Sequence, residues 1–258
     1  MPTVHIMGYV EPRETLINIE NLTPIQEENI VTGKKTKFTI AIIHSVVSVE
    51  CEMENFDVEQ ESSQLYTRCV ELSRTLVNLI AVRHGWGLTV HLDTFINEDG
   101  TEERLMNRAD HLDGIMDAYT LDDIDMIFRR VSGNIDFTMA LNDMVDAITR
   151  PRTTSTCCAR VIDTIKNLLA PELKDKAGWE VMHEALRTDK EYCQHISNAS
   201  RSSRHGQHEY LPSIEAEELM TRTWELFNRF LSFRISGGLP LDEEKFPILH
   251  HDAPTPQS

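Results

Sequence analysis

The stretch Asn198-Ala199-Ser200-Arg201-Ser202-Ser203-Arg204-His205-Gly206-Gln207-His208 places two arginines, two histidines and two amides within eleven residues. Arg201 or Arg204 can neutralise a phosphate through its planar guanidinium fork. His205 or His208 can give or take a proton near neutral pH, where imidazole titrates. Asn198 can orient a ribose hydroxyl or a phosphate oxygen. Asn198, Arg201 and His205 stand three and four residues apart, the spacing that puts side chains on one face if a helix runs that far. These are the groups that metal-independent RNA cleavage requires, a base for the 2'-hydroxyl and a cation for the phosphate. The same set serves simple phosphate binding. A structural alternative stands beside both: Arg201 and Arg204 pair with Glu209, Glu215, Glu217 or Glu218 as internal staples, and His205-Gly206 only ends a helix.

The elements that must position this stretch are helical. Thr188 with Glu191 reads as a capping box opening a helix through Tyr192, Ile196 and Ala199. Beyond the stretch, Leu219, Trp224, Phe227 and Leu231 predict a long helix from about Ser213 to Ile235, ended by Gly237-Gly238. Upstream, Thr120 with Asp123 resembles another capping box, and Leu121, Ile124, Ile127, Phe128 and Val131 give its helix an apolar face. Leu141, Met144, Val145 and Ile148 predict the next helix. Val161, Ile162, Ile165, Leu168 and Leu169 predict a third from near Ser155, stopped by Pro171, and Trp179, Met182, His183 and Leu186 a short fourth.

The first hundred residues have a different period. Val4 and Ile6, then Thr15, Ile17 and Ile19, alternate as strands do, and Phe38 to Val49 suits a long strand or two strands broken at His44-Ser45. Gly33 to Lys37 reads as a basic turn. Leu65, Cys69, Leu72, Leu76, Leu79 and Ile80 predict a helix from near Ser62 to a left-handed stop at Gly85. Trp86, Leu88, Val90, Leu92 and Ile96 then predict a strand closed by the turn Asn97 to Gly100, and Thr101 to Gly114 a linker or boundary helix. The fold class expected is α+β: a mixed α/β sheet domain over 1–115, an all-helical bundle over 116–240, and a disordered tail over 241–258.

Composition narrows the function. Hydrophobic residues at 40% and charged residues at 26% of 258 suit a globular chain. A formal net charge of -17 repels a nucleic-acid backbone at long range, so any anion must be held by a local basic cluster. No apolar run is long enough to cross a membrane and no secretory signal opens the chain, which makes the cytoplasm the expected compartment. The five cysteines, Cys51, Cys69, Cys157, Cys158 and Cys193, contain no CxxC and read as buried thiols rather than disulfides or zinc ligands. The helix start beside Cys157-Cys158 is the one place where a thiol pKa would fall. His84 and His91 read as a helix-end charge and a sheet residue. Asp93, Glu98, Asp99 and Glu102 match no calcium loop, and Asp110, His111, Asp113 and Asp117 read first as an exposed polar face. No metal or cofactor is expected.

A helical bundle whose last-but-one long helix ends in an Arg/Asn/His-Gly segment, followed by another long helix, resembles the HEPN superfamily over residues 120–240. That resemblance implies a homodimer in which two copies of an arginine and a histidine, four to six residues between them, form a metal-independent endoribonuclease site of the kind found in defence and toxin systems. Other members bind nucleotides, RNA or protein partners without cleaving. Arg201 and His208 meet the spacing, whereas Arg201–His205 and Arg204–His208 are shorter. Ser202 stands after the arginine where Asn, Asp or His is commoner. The function expected is therefore binding of RNA, a nucleotide or a protein partner, with cleavage as its active form. The alternative is a non-enzymatic structural or sensor subunit.

Overall fold

The structure is a computed structural model that describes residues 3–28, 33–104, 109–116, 119–131, 133–173, 175–204 and 211–251. The chain divides into two compact units, Met1–Met106 and Asn107–Ser258. A sheet domain followed by a helical bundle agrees with the α+β expectation.

The first unit is a six-stranded sheet in the order β2-β3-β4-β1-β5-β6. Its strands are β1 (Thr3–Glu11), β2 (Ile25–Glu28), β3 (Lys35–Ile43), β4 (Val46–Met53), β5 (Thr89–Ile96) and β6 (Glu102–Arg104), and every pairing is antiparallel. Alternate residues Val4, Ile6 and Val10 of β1, Ile40 and Ile42 of β3, and Val47, Val49 and Cys51 of β4 are buried. They face α1 (Val58–His84), which contributes Leu65, Cys69, Val70 and Val77 to the same core. One covered and one polar face is what the alternation of an antiparallel sheet permits.

Local chemistry sets the sheet's turns. His44 and Ser45 both have positive φ, 49 and 63, the conformation a two-residue hairpin turn needs. The Ser45 hydroxyl accepts from the Ile17 backbone at 3.0 Å, and the Asn18 side chain accepts from the His44 backbone at 2.8 Å. Those bonds fix the preceding loop on the hairpin. Gly85 at φ +68 ends α1 as expected. In β5 the register against β1 slips between Met7 and Gly8, with Met7 opposite Thr94 and Gly8 opposite Leu92, so Asp93 is the extra residue of a bulge. A Cβ on Gly8 would lie 1.9 Å from the His91 carbonyl oxygen, so only glycine allows this close approach.

Several expectations for this unit need correction. Thr15, Ile17 and Ile19 form no strand: Arg13–Thr15 is a 3-10 turn, and Ile19 makes only an isolated bridge to Ile42. Lys35 and Lys37 belong to β3 rather than a turn, because β2 pairs with them. Trp86 precedes β5, stacked on His84 at 4.6 Å, and the bulge moves burial from Ile96 to Phe95. Leu79 is exposed on α1. The segment after Gly100 holds the short strand β6 and a 3-10 turn at Asp110–Leu112.

The second unit contains α2 (Leu121–Val131), α3 (Ile135–Thr149), α4 (Thr154–Leu169), α5 (Asp175–Leu186), α6 (Lys190–Ala199), α7 (Arg201–Arg204) and α8 (Ser213–Ile235). Its core gathers Phe137 and Met144 of α3, Ile162 and Ile165 of α4, Met182 and Leu186 of α5, Ile196 of α6, and Leu226, Phe227 and Phe230 of α8. The Thr120–Asp123 capping box is present: Asp123 accepts from the Thr120 backbone at 2.9 Å, and its own backbone donates to the Thr120 hydroxyl at 3.3 Å. Asn134 caps α3 through Phe137 at 3.0 Å. The cap of α6 is Asp189, not Thr188; its carboxylate accepts from the Tyr192 backbone at 2.7 Å. An ionised cap carries full charge against the helix dipole, and Thr188 is instead tied to Leu249 by a bridge.

Residues 241–251, placed in a tail by sequence, lie along this bundle. Arg187 donates to the Phe246 carbonyl at 2.7 Å and meets Glu243 at 2.9 Å, while the backbones of Asp189 and Leu249 bond at 3.0 Å. His250 reaches Asp189 at 3.0 Å.

Candidate functional site

Asn198 sits in the last turn of α6 and is exposed. Ser200, fully buried, closes the helix by donating its hydroxyl to the Ser197 carbonyl at 2.8 Å, and α7 restarts at Arg201. Arg201 is exposed, and among the described residues it faces no carboxylate. The side chain of Arg204 and all of His205 and His208 lie outside the described residues, so the Arg201–His208 pair has no geometry on which to stand.

The staple reading named Glu218 as a partner of Arg201 or Arg204. Glu218 is instead taken within α8, where Arg222 donates from Nε at 2.8 Å. Other bundle arginines are likewise neutralised: Arg129 by Asp125 at 2.8 Å, Arg150 by Asp146 at 3.4 Å, Arg160 by the buried Asp143, and Arg187 by Glu243 at 2.9 Å. Arg201 stands apart from that pattern.

Sequence reasoning missed a second group of polar side chains. Glu218, Arg222, Glu225 and Arg229 recur at four, three and four residues, giving α8 a charged seam one turn apart. The alternation is visible in the sequence, but nothing in it marks the two arginines as buried, and each is only 6% exposed. Arg222 lies over the Tyr192 ring at 4.9 Å, and its Nη2 donates to the His251 carbonyl at 2.8 Å. Its Nη1 is buried without a partner among the described residues, as is His251 Nδ1. His195, one turn before Asn198 on α6, packs at a tilt against the His251 ring at 5.0 Å and stands 3.6 Å from Glu218. Burial, reinforced by the Arg222 charge, lowers the His195 pKa, so its ring favours the neutral form able to accept a proton.

Farther along α8, Tyr192 donates to Glu225 at 2.7 Å. Tyr119 Oη lies 2.8 Å from Asn228 Oδ1 and 2.9 Å from Ser232 Oγ. Between these groups, the Asp110–Leu112 turn and residues 245–249, α8 borders a cavity of about 300 Å3. In the sheet unit a cavity of about 330 Å3 is lined by Arg13, Arg104 and Asp93 among others, but Arg104 is already 3.3 Å from Asp93 and Arg13 lies over Tyr9 at 4.0 Å.

The remaining candidates resolve plainly. His91 stacks on Tyr9 at 5.3 Å and stands 3.2 Å from Glu11. All five thiols are buried, with Cys51 and Cys69 sulfurs 3.4 Å apart. At Cys157-Cys158 burial overrides the helix start: it raises both thiols, Cys158 to about 12. Among the described residues no group of three His, Cys, Asp or Glu side chains converges to hold a metal ion. No helix there is long and apolar enough to cross a membrane.

No curated protein and no solved structure matches the chain. Residues 4–106 match the N-terminal domain, and residues 124–235 the C-terminal domain, of a family described as Domain of unknown function (DUF8168). The two matches follow the family's own domain order and together take in most of the chain, which belongs to the DUF8168 family.

Proposed function

We propose that the helical bundle is an HEPN-like module that binds single-stranded RNA or a nucleotide at the end of α6 and the start of α7. One observation carries this reading: in a chain of net charge -17, Arg201 is an exposed guanidinium that faces no carboxylate among the described residues. An arginine kept for a structural ion pair would have one, as Arg129, Arg150, Arg160, Arg187 and Arg222 do. Asn198, exposed three residues earlier, supplies a neutral hydrogen-bonding group beside it. In the cleaving form, His208 or His205 takes the proton of the 2'-hydroxyl while Arg201 or Arg204 stabilises charge on the phosphate. A homodimer would bring two such segments together.

Fluorescence anisotropy with a labelled single-stranded RNA tests this. The wild-type chain is expected to bind with an affinity that falls as salt rises, and Arg201→Ala to weaken it by roughly tenfold or more, the worth of a charge-assisted phosphate contact. Equal binding by the variant, or no binding at low salt, overturns the reading.

A further inference from the structure

The cavity beside α8 is bounded by three separate pieces of chain: the turn holding His111, the middle of α8, and the segment holding Lys245 and Phe246. Arg229 is 6% exposed, yet only its Nη1 is engaged, donating to the Leu186 and Arg187 carbonyls at 3.1 and 2.9 Å. Those bonds and the Phe246 ring, 5.6 Å away, fix the orientation of the guanidinium. Its Nε and Nη2 make no hydrogen bond among the described residues. Half of the fork is therefore left for an acceptor that enters the cavity.

The neighbouring groups add further unpaired polar atoms. His111 Nε2 is buried without a partner among the described residues. Asn228 is met through its Oδ1 by Tyr119 at 2.8 Å, which leaves its amide nitrogen as a donor. Lys245 is exposed and lines the cavity, and its charge also acts on the Asp242 carboxylate. Two carboxylates also line the cavity: Asp113 is exposed, and Glu225 already accepts from Tyr192. In charge Arg229 and Lys245 balance Asp113 and Glu225, but the unused edge of the Arg229 fork and the Asn228 amide leave hydrogen-bond donors without acceptors beside the cavity. A volume of about 300 Å3 lies at the small end of ligand pockets, which suits a metabolite rather than a polymer.

We propose that this cavity binds a small organic anion, a carboxylate or phosphate, whose charged group sits on the free edge of the Arg229 fork with Lys245 and Asn228 beside it. A hydroxyl on the same molecule would meet Glu225. This site uses none of the residues assigned to RNA.

Isothermal titration calorimetry on the full chain tests it with four probes: inorganic phosphate, glycerol 3-phosphate, succinate and malate. Saturable binding of the first pair assigns a phosphate, and of the second pair a carboxylate. Lys245→Ala changes an exposed side chain and is expected to keep the fold while weakening binding by about tenfold. Arg229→Gln is expected to abolish binding, with circular dichroism reporting whether the helices remain. Arg201→Ala is expected to bind the probes as the wild type does, which separates this site from the RNA reading. Absence of binding by every probe at millimolar concentration, or unchanged binding by Lys245→Ala, overturns the proposal. Equal weakening by Arg201→Ala does the same.

Discussion

The hydroxyl of Tyr192 on α6 donates to the carboxylate of Glu225 on α8 at 2.7 Å and lies 3.2 Å from the Arg222 carbonyl. Burial, and after it the Glu225 charge, pushes the phenol far above its ordinary range, so it stays a donor at any physiological pH. Tyr192→Phe keeps the ring under Arg222 and removes only the hydrogen bond. Chemical denaturation should show a loss of about 1.5–3 kcal/mol, the value of a bond to a charged acceptor. An unchanged midpoint would mean that α6 and α8 are joined by packing alone.

Asp189 couples a helix cap to the segment beyond α8. Burial raises its carboxyl, but the Tyr192 backbone, the His250 ring and the His251 backbone together hold it below the usual carboxylate range. A depressed folded value means that its stabilisation is present above about 3.9, the unfolded value, and is lost as pH falls through the folded value. Asp189→Ala should cost about 1 kcal/mol at pH 7, as a lost N-cap does. The gap between variant and wild type should close in acid, which urea titrations at two pH values will show.

His111, His183 and His195 act in the same direction for a different reason. Burial leads in lowering each, with Arg222 adding to the effect at His195. The unfolded chain takes up protons near pH 6.5 while these rings still resist. Their contribution is thus full above about 6.5 and drains as pH drops through the lowered folded values. Thermal melts should shift downward between pH 7 and pH 5, and replacing His183 by Leu should reduce that shift.

Gly8→Ala meets a backbone atom, not a movable side chain. The loss should reach at least about 2–3 kcal/mol, as overpacking against a fixed neighbour does, and it should appear in the sheet unit first. Hydrogen exchange of β1 and β5 amides is the measurement; unaltered protection would contradict the bulge.

The thiols offer a simpler check. Cys158 and Cys193 are pushed up to about 12 by burial, and all five cysteines are enclosed. A thiol reagent should label the native protein slowly and the unfolded protein fully. Fast native labelling would place a cysteine at the surface.

Helical periodicity was the strongest signal in the sequence, and it located α8 to the residue, from Ser213 to Ile235. The Thr120–Asp123 box was equally readable, because a capping box lies within four residues of chain. Features that depend on distant residues were not legible. The bulge at Asp93 shifts burial at the end of β5 from Ile96 to Phe95, and only the pairing with β1 creates it. Strands β2 and β6 are too short to show alternation and exist because β3 and β5 offer them edges. At the candidate site, the type of Arg201 was readable, but that it faces no carboxylate among the described residues was not. Arg229 was hidden for the opposite reason: on a helical wheel it is a polar residue, and only the turn at His111 and residues 245–249 enclose it.

The two outer strands of the sheet carry a consequence for self-association. β2 reads Ile-Gln-Glu-Glu and β6 reads Glu-Glu-Arg, so each outer strand, over its described residues, is short and rich in carboxylates. Two copies brought edge to edge would set like charges opposite one another before any ladder could form. The sheet domain is thereby guarded against growing into a continuous sheet, and a pairing of two chains would have to be made by another surface.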